Sequence, residues 1–142
     1  MKKIFWDTNI LIDYYANRPG ASAAHQLLRL ANVGEITICA SLLTFANFAY
    51  IAKRNHALEE VYSELDRFER LISALPMDKK QLRLAINNPC KDFEDMLQYQ
   101  CAVASGCDII ITNNKKDFIQ YSQLPVFTAS EFLEELKKYK SI

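Results

Sequence analysis

The spacing of hydrophobic residues changes repeatedly along the chain, and each change predicts an element. "KIFW", residues 3–6, is a short apolar run stopped by Asp7, the pattern of a buried strand. "TNILIDYYANR" follows, with Ile10, Leu11, Tyr14 and Tyr15 at helical intervals and a break at Pro19-Gly20. Residues 21–32 predict a second helix, its inner side led by Leu27, Leu28 and Leu30, and "EITICAS" a second strand. Two further helices are expected over 41–54, with Phe45 and Phe48, and over 56–71, with Leu58, Val61, Leu65 and Phe68. "ISALPM" reads as a strand, and 78–87 as a helix capped by Asp78 and ended before Pro89. The clearest helix is "KDFEDMLQYQCAVASG", with Phe93, Met96, Leu97 and Ala104 on its core face and Gly106 as its stop. "DIIIT" and "PVFT" supply the last strands, and Thr128 with Glu131 forms a capping box for a C-terminal helix. Strands alternating with helices predict an α/β fold, a three-layer sandwich whose central, mostly parallel twisted sheet is flanked by helices. One domain over residues 1–142 is expected.

That fold gives the acidic residues a shared destination. In an open parallel sheet, chemistry gathers at the carboxyl ends of the strands. Asp7 ends the first strand, and Asp117 follows the strand "DIIIT". The helix preceding that strand begins at the same edge, because parallel connections return the chain there. Asp92 and Asp95 lie in its first turn. Each has an ordinary explanation: Asp7 and Asp92 as helix caps, Asp117 as a turn residue. Convergence from three segments favours a shared site. Two carboxylates about 5 Å apart repel by roughly 3 kcal/mol at an effective dielectric near 20, and three such pairs by on the order of 10 kcal/mol. Such a cluster needs protons or a cation, and an all-oxygen set suits Mg²⁺ or Mn²⁺. A site of this kind fits phosphodiester hydrolysis without a side-chain nucleophile.

Charge and composition narrow the partners. The 17 basic and 17 acidic residues cancel, so nucleic acid cannot be held by overall charge and any binding must be local or metal-assisted. Lys115 and Lys116 flank the proposed site and are expected to contact RNA phosphates. Cys39, Cys90, Cys101 and Cys107 form no C-x-x-C pair, and His25 and His56 lack zinc-like spacing to them, so a zinc site and a histidine mechanism are disfavoured. No apolar run is long enough for a signal peptide or a membrane span, and a soluble, cytoplasmic protein is expected.

Together, "FWDTNILIDYY", "SLLTFANFAYIAKR" and "DFEDMLQYQCAVASGCDIIITNNKKDF" resemble the PIN domain, especially the VapC-like toxins of bacterial toxin–antitoxin pairs. The likeness runs from Phe5 to the last strand. It implies a Mg²⁺- or Mn²⁺-dependent endoribonuclease, a homodimer, and a cognate antitoxin as partner. Carried over by motif, Asp7, Asp95 and Asp117 would be the metal-binding, catalytic acids. Thr8 and Asn9 would orient the first of them and its neighbours, and Thr112 and Asn114 would play a supporting part around the site. The family usually carries Glu in the helix after the second strand, where this chain has Asn47. An amide brings no charge and cannot act as a base, which leaves two questions: whether Asp92 compensates, and whether the chain is instead a catalytically weakened PIN-fold module that binds RNA or protein. A HAD-like phosphatase is a third reading, disfavoured because Asn9 stands where that family has a second Asp. Tyr14, Tyr15, Leu27 and Leu28 read as core, with an antitoxin- or dimer-facing role as the alternative.

Overall fold

In a computed structural model, which describes residues 2–140, five short strands form one sheet in the order β3-β2-β1-β4-β5, with every pairing parallel. Met1, Ser141 and Ile142, included in the single-domain expectation, lie outside the described residues. The strands are β1 (Lys3–Trp6), β2 (Thr37–Ser41), β3 (Ile72–Leu75), β4 (Ile109–Ile111) and β5 (Val126–Phe127). Between and after them run α1 (Thr8–Tyr15), α2 (Ala21–Asn32), α3 (Leu42–Ala52), α4 (Leu58–Leu71), α5 (Lys79–Asn87), α6 (Phe93–Ala104), α7 (Lys116–Ile119) and α8 (Ala129–Lys140).

Side-chain alternation along the strands builds two cores. Ile4, Trp6, Ile38, Ala40, Ile109 and Ile111 point to one face and pack with Leu27, Phe48, Phe68 and Phe132 from α2, α3, α4 and α8. Phe5, Cys39 and Ile110 point to the other, against Met96, Tyr99, Ala102 and Phe118 from α6 and α7. Period-two strands buried on both faces read as continuous apolar runs, and β1 and β4 do. This is the expected sandwich.

Local signals set most boundaries. Asp78 and Gln81 make a capping box at α5, and Thr128 and Glu131 make one at α8, each amide meeting the other side chain at 2.9 and 3.1 Å. Gly106, at φ 71, ends α6 in a left-handed conformation that favours glycine. Three core assignments need correction. Phe93, assigned to the core face of α6, is 48% exposed, and Leu58, assigned to the inner face of α4, is 67% exposed. Both are the first residue of their helix; helical side chains lean back over the preceding turn, and here no turn precedes them. Ala104, assigned to the same face as Phe93, is exposed at the last turn of α6. Asp117, for which a turn is the ordinary explanation, lies in the short helix α7, too brief for periodicity to reveal.

The sheet order decides where chemistry can sit. From β1, one wing runs to β2 and β3 and the other to β4 and β5, so the switch point lies between β1 and β4. A crevice opens there at the strands' carboxyl ends. Asp7 and Thr112 are the residues that leave those two ends.

Candidate functional site

Asp7 is buried at the end of β1, and its amide completes the sheet by donating to the Ile111 carbonyl at 3.0 Å. Its carboxylate caps α1, accepting from the Thr8 amide at 2.8 Å. Capping is only part of its role. The other oxygen accepts from Asn9 Nδ2 at 3.0 Å and from Thr112 Oγ1 at 2.9 Å. Thr112 also accepts from the Asn114 amide at 3.0 Å, and Asn114 Nδ2 donates to Asp117 at 2.5 Å. The polar residues after β4 thus connect Asp7 to Asp117 through an unbroken series of hydrogen bonds. Asn9 extends it, accepting from the Asn113 amide at 3.2 Å, while Asn113 Nδ2 donates to Asp13 at 2.6 Å.

Asp95 reaches the site from α6. It is 9% exposed, and its Oδ2 finds no hydrogen-bond partner among the described residues. Burial, then the charges of Asp7, Asp92, Asp117 and Glu94, raise its pKa to about 7. Burial likewise raises Asp7 to about 6, opposed by the hydrogen bonds from Thr112 and Thr8 and reinforced by Glu94 and Asp117. The three acids from separate segments therefore lie within one another's electrostatic reach. Among the described residues, no group of three or more His, Cys, Asp or Glu side chains is drawn together tightly enough to hold an ion as it stands.

A cleft of about 380 Å³ opens beside these acids, lined by Asp92, Asp95, Asp117, Lys91, Lys116 and Tyr121, among others. Asp92 caps α6, accepting from the Glu94 and Asp95 amides at 3.0 and 3.4 Å, and still faces the cleft. The two lysines part company. Lys116 lines the cleft, whereas Lys115 reaches Glu131 at 3.1 Å, on α8. Asn47 donates its amide to Glu94 at 2.7 Å. Thr8 orients Asp7 through its backbone amide, and its hydroxyl turns elsewhere.

That hydroxyl belongs to a buried neutral cluster. Gln98 Nε2 donates to Thr8 Oγ1 at 3.3 Å and to Thr44 Oγ1 at 3.0 Å, while its Oε1 accepts from Ser41 at 2.7 Å. The cluster fastens the starts of α1 and α3 to α6. Gln98 lies one turn beyond Asp95, a spacing that could have pointed to it; Ser41 and Thr44 carried no sequence signal beyond a cap. Glu94 and Tyr121 were also missed. Burial, then Asp92, raises the Glu94 carboxyl, with Asn47 opposing. The Tyr121 hydroxyl has no hydrogen-bond partner among the described residues, and burial raises its pKa too.

An all-carboxylate set with one buried, unpaired oxygen is what a hard divalent cation would complete. Known proteins carry the same arrangement of elements. A family profile described as PIN domain matches residues 3–116. Ribonuclease VapC1 of Aquifex aeolicus (strain VF5) is 26% identical over 141 residues, covering 94% of each chain. VapBC2 from Rickettsia felis, solved bound to a DNA fragment from its promoter, superposes with a TM-score of 0.67 at 23% identity, over 87% of this chain and 96% of that one. VapC20 of Mycobacterium tuberculosis, a Sarcin-Ricin loop cleaving toxin, superposes at 0.58 with 13% identity, over 75% and 86%. The profile covers most of the chain, and the chain belongs to the PIN domain family.

Proposed function

We propose that this protein is a divalent-metal-dependent endoribonuclease, the toxin of a toxin–antitoxin pair, with residues 1–142 acting as one PIN domain. The observation that carries the reading is the Asp95 Oδ2 atom, buried without a partner among the described residues and within electrostatic reach of Asp7 and Asp117. A neutral pocket would leave such an oxygen protonated and inert; a cation gives it a ligand's role. Asp7, Asp95 and Asp117 would hold Mg²⁺ or Mn²⁺, with Asp92 at the cleft as a further acid. When bound, the ion supplies charge neutralisation at the phosphoryl oxygens and acidifies a water.

The chain's own residues prepare the site. Thr112 and Asn9 fix the Asp7 carboxylate, and Asn114 fixes Asp117, so that neither must be ordered when the ion arrives. Lys116, at the cleft, is placed to hold an RNA phosphate, and Lys115 contributes less because Glu131 engages it. The curated relative is a ribonuclease and several solved neighbours are toxin–antitoxin complexes, which supports RNA as substrate and an antitoxin as partner. A homodimer is part of the same reading. Among the described residues no helix is long and apolar enough to cross a membrane.

Incubating RNA with the purified chain tests this. Cleavage is expected with Mg²⁺ or Mn²⁺, and none with EDTA or in Asp7→Asn. RNA binding without metal-dependent cleavage would instead identify the weakened binding module that Asn47 suggests.

A further inference from the structure

We propose that the ring of Tyr121 is a platform on which an RNA base stacks beside the acidic cluster, so that Tyr121 senses the nucleotide next to the cleaved bond. This rests on reading the cleft as a ribonuclease site. The cleft of about 380 Å³ has two kinds of wall: Asp92, Asp95 and Asp117 make one, and Lys91, Lys116 and Tyr121 belong to the other. Its volume lies within the range of about 300–1,000 Å³ in which pockets enclose a small ligand. A cation and a phosphate account for the acids and the lysines, but not for an aromatic ring among them.

The backbone places the ring. Tyr121 follows Asp117 by four residues, and the chain still turns there, the Tyr121 amide donating to the Phe118 carbonyl at 3.2 Å. The two side chains therefore leave one face, about 5–6 Å apart at Cβ. Packing holds the ring still: it meets Tyr99 nearly edge-on, with centroids 5.2 Å apart, and Phe118 at 6.2 Å. Tyr99 is itself fixed, its hydroxyl accepting from the Gln123 amide at 3.0 Å. A ring braced in this way loses little freedom when a ligand settles on it. The Tyr121 hydroxyl is buried without a partner among the described residues, yet the residue is only half-buried and lines the cleft. What it presents to a ligand is thus the ring, not the hydroxyl. Every base has a face that stacks on such a ring, and Lys91, ahead of α6, and Lys116, on α7, supply charge for the phosphates that flank it. Core packing is the simpler role, since Tyr121 also rests against the second core. That role predicts a loss of stability on truncation and no dependence on which base is offered.

The test is binding of fluorescently labelled oligo(A), oligo(U) and an abasic ribose-phosphate oligomer to the full chain in EDTA, read by anisotropy, with thermal unfolding to verify that each variant folds. Without metal the RNA stays intact, so binding is read apart from cleavage. Wild type should bind oligo(A) more tightly than oligo(U), because the larger base stacks more strongly, and the abasic oligomer most weakly. Tyr121→Leu should weaken oligo(A) binding by about tenfold and erase its advantage over the abasic oligomer. Tyr121→Phe keeps the ring and should bind like wild type. If Tyr121→Leu weakens all the oligomers alike or none of them, if Tyr121→Phe behaves like Tyr121→Leu, or if wild type shows no preference for a base, the inference is overturned. Wild-type cleavage of RNA with Mn²⁺ survives that outcome and is lost only if the ribonuclease reading itself fails, so the two failures are told apart.

Discussion

Two polar clusters lie side by side at the carboxyl edge of the sheet, and they solve burial in opposite ways. In the neutral one, Gln98 satisfies Ser41, Thr8 and Thr44 with its two donors and one acceptor. Nothing is left over, so the cluster needs only the folded chain. In the charged one, Asp7 is well supported but Asp95 is not, and both carboxyls hold their protons to unusually high pH. Among the described residues no donor meets Asp95 Oδ2. The difference teaches that a buried carboxylate oxygen without a partner, set among other acids, calls for a ligand from outside the chain, whereas a cluster with every partner belongs to the fold.

The largest expected effect comes from removing the charge at the unsatisfied oxygen. Asp95→Asn should abolish Mn²⁺ binding and lower RNA cleavage by at least about 10³-fold, measured by titration and by single-turnover cleavage. The same change should stabilise the metal-free protein at pH 7.5. The folded Asp7 and Asp95 carboxyls, near 6 and 7, stay protonated to higher pH than the unfolded chain's. Between about pH 4 and 7 the folded state therefore binds more protons, and stability falls as pH rises. Asp95→Asn should recover on the order of 2 kcal/mol at pH 7.5 in urea unfolding and flatten that pH dependence. A metal-free protein that gains stability from pH 5 to 7.5 would contradict this.

Breaking the neutral cluster should do the reverse. Gln98→Ala leaves three buried hydroxyls short of partners and a small cavity, a cost of about 3 kcal/mol that neither pH nor metal should alter. Urea unfolding with and without Mn²⁺ separates the two clusters: variants of the charged cluster should change the stabilisation that the ion confers, and Gln98→Ala should not. Thr112→Val is milder. It takes the hydroxyl from both Asp7 and the Asn114 amide, and should weaken Mn²⁺ binding by about tenfold with little change in fold. The smallest effect is at the cleft mouth. Lys116→Ala should reduce the salt dependence of RNA binding by about one phosphate contact, and Lys115→Ala by less. Equal effects from the two lysines would mean that the Glu131 pair opens when RNA binds.

Most of the fold was legible along the chain. "KIFW" and "DIIIT" could be read as buried strands because both faces of a parallel sheet are covered, and the caps at Asp78 and Thr128 because capping is a local affair of three residues. Asp7, Asp95 and Asp117 could be singled out because parallel connections return each segment to one edge. Sequence periodicity also misassigned Phe93 and Leu58, since it fixes a direction around the helix but not whether anything lies beyond its first turn. What the tertiary structure alone decided is pairing across helices. Gln98 looks like an ordinary surface amide until α1 and α3 bring Thr8, Ser41 and Thr44 to it. Asn47 looks like a missing charge until Glu94, 47 residues away, is found bonded to it. Lys115 and Lys116 are indistinguishable in sequence, and only the packing of α8 turns one toward Glu131. A short, directional hydrogen bond depends on where two backbones come to rest, and no spacing within either segment carries that information.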